Sequence, residues 1–195
     1  MAEMAESQIS TMQLQALLDR GDDEAYQELL ALASLRLHKL ASKMLKGYPK
    51  LRRWEETDDV FQMSAIRLHQ SLSSVRPRSV REFFGLAATQ IRRTLIDLGR
   101  HYFGPQGHGA NHASDPDVPA VAKSDSPENL LFWSQFHETV EQLPEEEREV
   151  FQLLWYAGTT QREAADLLGI STRTVLRRYY RARIFLQRTL KGANP

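Results

Sequence analysis

No cysteine occurs among the 195 residues. That absence excludes disulfides, thiolate metal sites and thiol redox chemistry, and it fits a reducing compartment. No apolar run approaches the roughly 20 residues that a membrane helix requires, so no membrane insertion is expected. The amino terminus, "MAEMAESQIS", carries acids where a secretory signal would place basic residues before an apolar stretch. Together these absences point to a cytoplasmic protein. Gly-rich phosphate loops, nucleophile elbows and His-Glu-x-x-His motifs are also missing, so neither a cofactor nor an enzymatic activity is expected. His101, His108 and His112, with Asp115 and Asp117, match no zinc spacing and read as solvated loop residues. Convincing period-two alternation, the mark of a half-buried strand, is lacking too.

What the chain does have is helical spacing and a lopsided distribution of charge. The formal net charge is zero, yet acids crowd between Glu141 and Glu149, and from Ser171 to Pro195 every charged residue is Arg or Lys. The neutral average conceals a basic carboxy-terminal segment. Apolar residues recur at helical spacing except from Tyr102 to Ser126, where Gly, Pro, Ser, Asn and Asp prevail. The fold class is therefore all-α: two small helical domains, residues 10–101 and 127–191, joined by a flexible linker over 102–126.

The spacing predicts helices from about Ser10 to Arg20, Asp23 to Leu45, Asp58 to Leu72 and Val80 to His101. Ser79 and Glu82 have capping-box spacing at the start of the fourth. On the third, Phe61, Ala65, Leu68 and Leu72 form the expected buried stripe, leaving Asp59, Gln62, Met63, Ile66 and Gln70 outside. Met63 and Ile66 suit either a docking surface or ordinary scattered exposure. On the fourth, Phe84, Ala87, Ile91, Leu95 and Leu98 form the core stripe, and Thr89, Gln90, Arg92, Arg93, Asp97 and Arg100 the polar side. That side fits either nucleic acid or a solvated surface with Arg93 and Asp97 as an i,i+4 pair.

The second module opens at Ser126-Pro127, and Leu143-Pro144 repeats the cap-and-proline signal before "EEEREVFQLLWYAG". Trp133 and Trp155 fall in apolar helical patterns and are expected in the core. Thr160 with Glu163 forms a second capping box, Ala164, Ala165, Leu167 and Leu168 supply an apolar face, and Gly169 permits a sharp turn. Ile170 then plugs the gap between helices, and Ser171 caps the next one. This is a helix-turn-helix layout. On the last helix Val175, Tyr179 and Ala182 share the inward side, while Arg173, Leu176, Arg177 and Tyr180 lie opposite, with Arg178 and Arg181 at the flanks. Such a helix fits the major groove: Arg173 and Arg177 toward guanine edges, Thr172 toward a phosphate or base, and the flanking arginines toward phosphates.

The succession "TDDVFQMSAIRLHQSL", "REFFGLAATQIRRTLIDLGRHYFGPQGHGANH", a linker and "LPEEEREVFQLLWYAGTTQREAADLLGISTRTVLRRYYRAR" resembles the sigma-70 family of bacterial RNA polymerase sigma factors. The resemblance is to the small extracytoplasmic-function (ECF) group, which keeps only regions 2 and 4, and it runs from about Leu14 to Leu190. It implies that residues 10–101 are region 2 and residues 127–191 region 4. It also implies core RNA polymerase and promoter DNA as partners, and admits an anti-sigma factor. By the same resemblance Asp59, Gln62, Met63 and Ile66 meet the polymerase. Ser74, Arg76 and Arg78 of the loop "SSVRPRS", with Thr89, Gln90, Arg92, Arg93 and Arg100, serve capture of the minus-10 element. Thr172, Arg173, Leu176, Arg177, Arg178, Tyr180 and Arg181 serve the minus-35 element. The alternative is a stand-alone helix-turn-helix regulator that binds operator DNA as a dimer, and a helical adaptor that binds only protein is the third reading.

Overall fold

The computed structural model describes residues 11–48, 51–103 and 135–191. All regular structure among the described residues is helical, as expected. The order is α1 (Thr11–Arg20), α2 (Asp23–Leu45), a 3-10 turn (Leu51–Arg53), α3 (Thr57–Val75) and α4 (Val80–Phe103). It continues with α5 (residues 135–141), α6 (Glu145–Trp155), α7 (Gln161–Leu168) and α8 (Thr172–Lys191). No helix of the described residues is long and apolar enough to cross a membrane. Helix α4 takes in Tyr102 and Phe103, the first two positions of the expected linker; the rest of that segment, Pro127 and Trp133 lie outside the described residues.

Local chemistry accounts for the boundaries. The α1–α2 turn passes through Gly21 at φ +64°, and the Asp22 carboxylate accepts from Ala25 N at 2.7 Å. Ser79 Oγ accepts from Glu82 N at 3.2 Å, but the Glu82 carboxylate accepts from Arg78 N at 2.8 Å, one residue before the expected reciprocal partner. Pro144 is the N-cap of α6 rather than its first helical residue, so that helix starts one position later than its proline signal suggested.

The first module packs α2, α3 and α4 around Leu29, Met44, Val60, Leu72, Phe83, Phe84 and Leu95, all essentially inaccessible to solvent. Along α3 the buried positions are Val60, Ser64, Leu68 and Leu72, while Phe61 and Ala65 are half-buried. Leu68 and Leu72 are thus buried as expected, while the first half of the stripe is shifted one residue earlier. The polar Ser64 is accommodated because its hydroxyl donates to Val60 O at 2.6 Å.

In the second module Val150, Leu153, Ala164, Ala165 and Val175 form a small core under the helix-turn-helix. Phe151, Tyr156, Ala182 and Leu186 instead join the same buried cluster as Leu14, Phe84 and Ile91 of the first module. Four polar contacts accompany that shared core. Glu163 Oε1 accepts from Thr11 Oγ1 at 3.0 Å and Arg36 Nη2 at 3.4 Å. Lys43 Nζ donates to Trp155 O at 3.1 Å and lies 4.0 Å from the indole ring centre. Arg81 stands 3.9 Å from Glu149.

Candidate nucleic-acid interface

The helix-turn-helix is assembled by its caps. Thr160 N donates to Glu163 Oε2 at 2.8 Å while Glu163 N donates to Thr160 Oγ1 at 3.2 Å, the reciprocal pair expected from the spacing. Burial pushes the Glu163 carboxyl up, but hydrogen bonds from Thr160 and Thr11 and the Arg36 charge outweigh it and hold it below the ordinary range. Helix α7 ends at Gly169 in the left-handed conformation, φ +63°, where a side chain would be strained. Ile170 then packs on the small core, and Ser171 Oγ accepts from Thr174 N at 3.2 Å to start α8.

Helix α8 presents its sides as expected. Val175 and Ala182 are fully buried and Tyr179 is half-buried, whereas Thr172, Arg173, Leu176, Arg177 and Tyr180 are exposed. The arginines divide into two classes. Arg178 is ion-paired with Glu146 at 2.8 Å and Arg181 with Glu147 at 3.8 Å, both on the first turn of α6. Arg173 and Arg177 have no ion pair among the described residues. The acidic segment read as charge asymmetry thus has a structural use: it pins the flank of the basic helix and leaves two guanidinium groups open on the outer face. Further along α8, Phe136, Phe151, Trp155, Tyr180, Ile184 and Leu190 help line a groove of about 460 Å³.

In the first module Ser74, Arg76 and Arg78 are all exposed, Arg76 and Arg78 on the loop between α3 and α4 and Ser74 in the last turn of α3, which runs three residues further than expected. Arg76 has φ 46°, the one non-glycine residue at positive φ among those described, and its N–H closes α3 on Leu72 O at 2.9 Å. The loop is tethered by Gln15, whose Nε2 donates to Arg78 O at 2.8 Å and whose Oε1 accepts from Val80 N at 3.2 Å. Gln15 was not among the expected site residues. Its partners are more than sixty residues away, and no local pattern marks it.

The polar side of α4 departs from expectation. Gln90 is only 5% exposed, and its Nε2 donates to Ser71 Oγ at 3.1 Å, so it points into the α3 contact and not outward. Thr89 is half-buried, with its hydroxyl donating to Gly85 O at 3.0 Å. Arg92 is half-buried on the side facing the second module, where its charge acts on Tyr48, His137 and Tyr156. Arg93 and Arg100 are exposed as expected, but Asp97 pairs with Arg67 at 2.7 Å and not with Arg93. A residue on the neighbouring helix competes successfully with the i,i+4 partner.

The buried polar cluster around Arg92 is shaped by desolvation. Burial, reinforced by the Arg92 charge, drives His137 down to about 3, so the imidazole is neutral with Nδ1 2.7 Å from the Tyr156 hydroxyl. Burial likewise pushes Tyr48 up to about 12, against the Arg92 charge. Burial and Glu141 raise Tyr156, again with Arg92 opposing.

On α3, Asp59, Gln62 and Ile66 are exposed and Met63 is half-buried. Ile66 is 60% exposed, one of the largest bare apolar side chains in the first module. Asp59 also serves locally, its Oδ2 accepting from Glu56 N at 3.0 Å. Of the acids and histidines considered for a metal, His101 packs edge-on against Tyr102, while His108, His112, Asp115 and Asp117 lie outside the described residues.

The sequence matches one protein family over nearly its whole length. The family model described as ECF sigma factor matches residues 7–192. The chain is 26% identical over 189 residues to the ECF RNA polymerase sigma-E factor of Salmonella typhimurium (strain LT2), over 90% of this chain and 92% of the relative. The same figures hold for the ECF RNA polymerase sigma-E factor of Escherichia coli (strain K12). A solved structure of CnrH in complex with the cytosolic domain of CnrY is similar at 22% identity and a TM-score of 0.36, over 93% of this chain and 97% of that one. The chain belongs to the ECF sigma factor family, and its function is to direct RNA polymerase to promoters.

Proposed function

We propose that the two modules divide this work. Residues 10–101 act as region 2, docking core polymerase and capturing the minus-10 element, and residues 127–191 act as region 4, reading the minus-35 element, with residues 102–126 as the linker. Helix α8 enters the major groove with Arg173 and Arg177 toward base edges, supported by Thr172, Leu176 and Tyr180. The observation that carries this reading is the sorting of arginines on α8, where Arg178 and Arg181 are tied to α6 and Arg173 and Arg177, exposed on the outer face, have no ion pair among the described residues. Arg178 and Arg181, at the flanks of the reading face, meet phosphates by exchanging their Glu146 and Glu147 partners for the DNA backbone.

In region 2 the exposed Ser74, Arg76, Arg78, Arg93 and Arg100 form the DNA-facing set. Thr89, Gln90 and Arg92 support that set from more buried positions. Asp59, Gln62, Met63 and Ile66 form the polymerase-facing set, with Ile66 as its apolar centre. The chain acts in the cytoplasm and performs no catalysis of its own, and its family admits an anti-sigma factor as a further partner.

Reconstitution with sigma-free core polymerase, followed by run-off transcription on a genomic promoter library, tests the whole reading. Defined start sites that require both components are expected. Absence of a complex with any compatible core, together with tight binding of the protein alone to a palindromic site, would establish the stand-alone regulator instead.

A further inference from the structure

Leu176 is the odd member of the α8 outer face. The inner face is already filled by Val175, Ala182 and Leu186, which are 0 to 5% exposed, and by half-buried Tyr179, while Leu176 stays 40% exposed. It directly precedes Arg177 and follows Arg173 by three residues, so an apolar side chain sits inside the cationic face assigned to DNA. It does not line the apolar groove, which starts one turn further along α8 and includes Tyr180 and Ile184.

We propose that Leu176 determines specificity by packing on the 5-methyl group of a thymine in the upstream promoter element. The inference rests on the assignment of α8 made above. A leucine has no hydrogen-bonding group, so it gains nothing from a phosphate or from the nitrogen and oxygen edges of bases. The one apolar group that the standard bases display in the major groove is the thymine C5-methyl. A single exposed leucine elsewhere on a surface needs no explanation; between two exposed arginines on a DNA-reading helix, it selects among bases. Register follows from helix geometry. With about 1.5 Å of rise per residue, Leu176 lies about 4.5 Å along the axis from Arg173. A base step is about 3.4 Å, which places the thymine within one or two base pairs of a guanine held by arginine.

The test uses holoenzyme reconstituted from core polymerase and the full chain, with promoter duplexes chosen by run-off transcription. Each thymine of the upstream element is replaced singly by deoxyuridine, which removes only the methyl group. One position is expected to lose about fourfold in promoter affinity, the scale of one buried methylene-sized group. Leu176→Ala should weaken the unmodified promoter by a similar factor and become indifferent to uracil at that position. Leu176→Arg should shift the same position toward guanine. If no thymine is sensitive, or if the sensitivity persists in Leu176→Ala, the proposal is overturned. If the double variant Arg173→Ala with Arg177→Ala still selects promoters, α8 is not the reader, and the assignment beneath the proposal falls with it.

Discussion

Helices α4 and α8 are of similar length, 24 and 20 residues, and both carry an arginine-bearing polar side, yet the fold uses those sides differently. Helix α8 packs mainly on α6 and α7, so one half of its circumference is bare. Helix α4 contacts α1, α2, α3, the 3-10 turn and α6, and its polar residues are drawn into those contacts. A helix with one packed side displays what its sequence pattern suggests. A helix surrounded by neighbours spends its polar groups on internal hydrogen bonds, and its pattern misleads.

The sharpest way to break this contrast is the double substitution Arg173→Ala with Arg177→Ala. Two bidentate base contacts worth roughly 1–3 kcal/mol each make the expected loss of promoter-specific run-off transcription about a hundredfold or more. Core binding should be unchanged. Thermal unfolding should also move little, because exposed, unpaired side chains contribute within about 0.5 kcal/mol. A comparable loss of stability would mean that α8 is no barer than α4.

Next in size is an acid sensitivity rooted in the crowded side of α4. His137 is held near 3 by burial and by the Arg92 charge, so folding keeps it neutral. A histidine with a depressed folded value contributes stability that is complete above its unfolded value of about 6.5 and is lost as pH falls below it. The slope reaches about 1.4 kcal/mol per pH unit, and between pH 6.5 and 4.5 the loss from this group is expected to be about 2 kcal/mol. Denaturant melts across that window should show it, and His137→Gln should flatten the slope. An unchanged slope in the variant would remove His137 as its source.

This contrast also explains what was legible in the residues. The all-α class, the helix starts at Asp23, Ser79 and Thr160, the Gly169 turn and the inner and outer sides of α8 follow from short-range patterns, because caps and turns are solved within a few residues. The burial of Gln90 and Arg92, the Arg67–Asp97 pair and the tethering of the loop by Gln15 depend on partners far along the chain. No window of sequence contains both members of those pairs. The shared core that joins Phe151 and Leu186 to the same buried cluster as Phe84 is of the same kind: a linker composition predicts separate modules and is silent on whether their surfaces meet.

Within α4 itself, two neighbouring positions sharpen the comparison. Gln90→Ala leaves the Ser71 hydroxyl without its buried donor and should cost about 1–2 kcal/mol of stability. Arg93→Ala removes an exposed side chain and should cost almost none, while slowing formation of the open promoter complex, as followed by permanganate reactivity of unpaired thymines. If both variants behave alike in melting and in promoter opening, buried and exposed polar groups on this helix have not been divided between structure and function.

The smallest effect is the most diagnostic, because stability and function should move in opposite directions. Arg76 holds φ 46° at the end of α3, a conformation that costs a non-glycine residue about 1 kcal/mol or more. Arg76→Gly removes that strain, offset by the greater backbone freedom of glycine in the unfolded chain, so the variant should be equal to wild type or more stable by about 0.5 kcal/mol. Its side chain is exposed on the loop assigned to the minus-10 element, so transcription from promoters that melt poorly should fall severalfold while core binding stays constant. Strain tolerated for the sake of a positively charged side chain is what a DNA-handling loop requires. Were Arg76→Gly to transcribe as well as wild type while gaining stability, the left-handed arginine would have no part in promoter capture, and the loop's role would pass to Ser74 and Arg78.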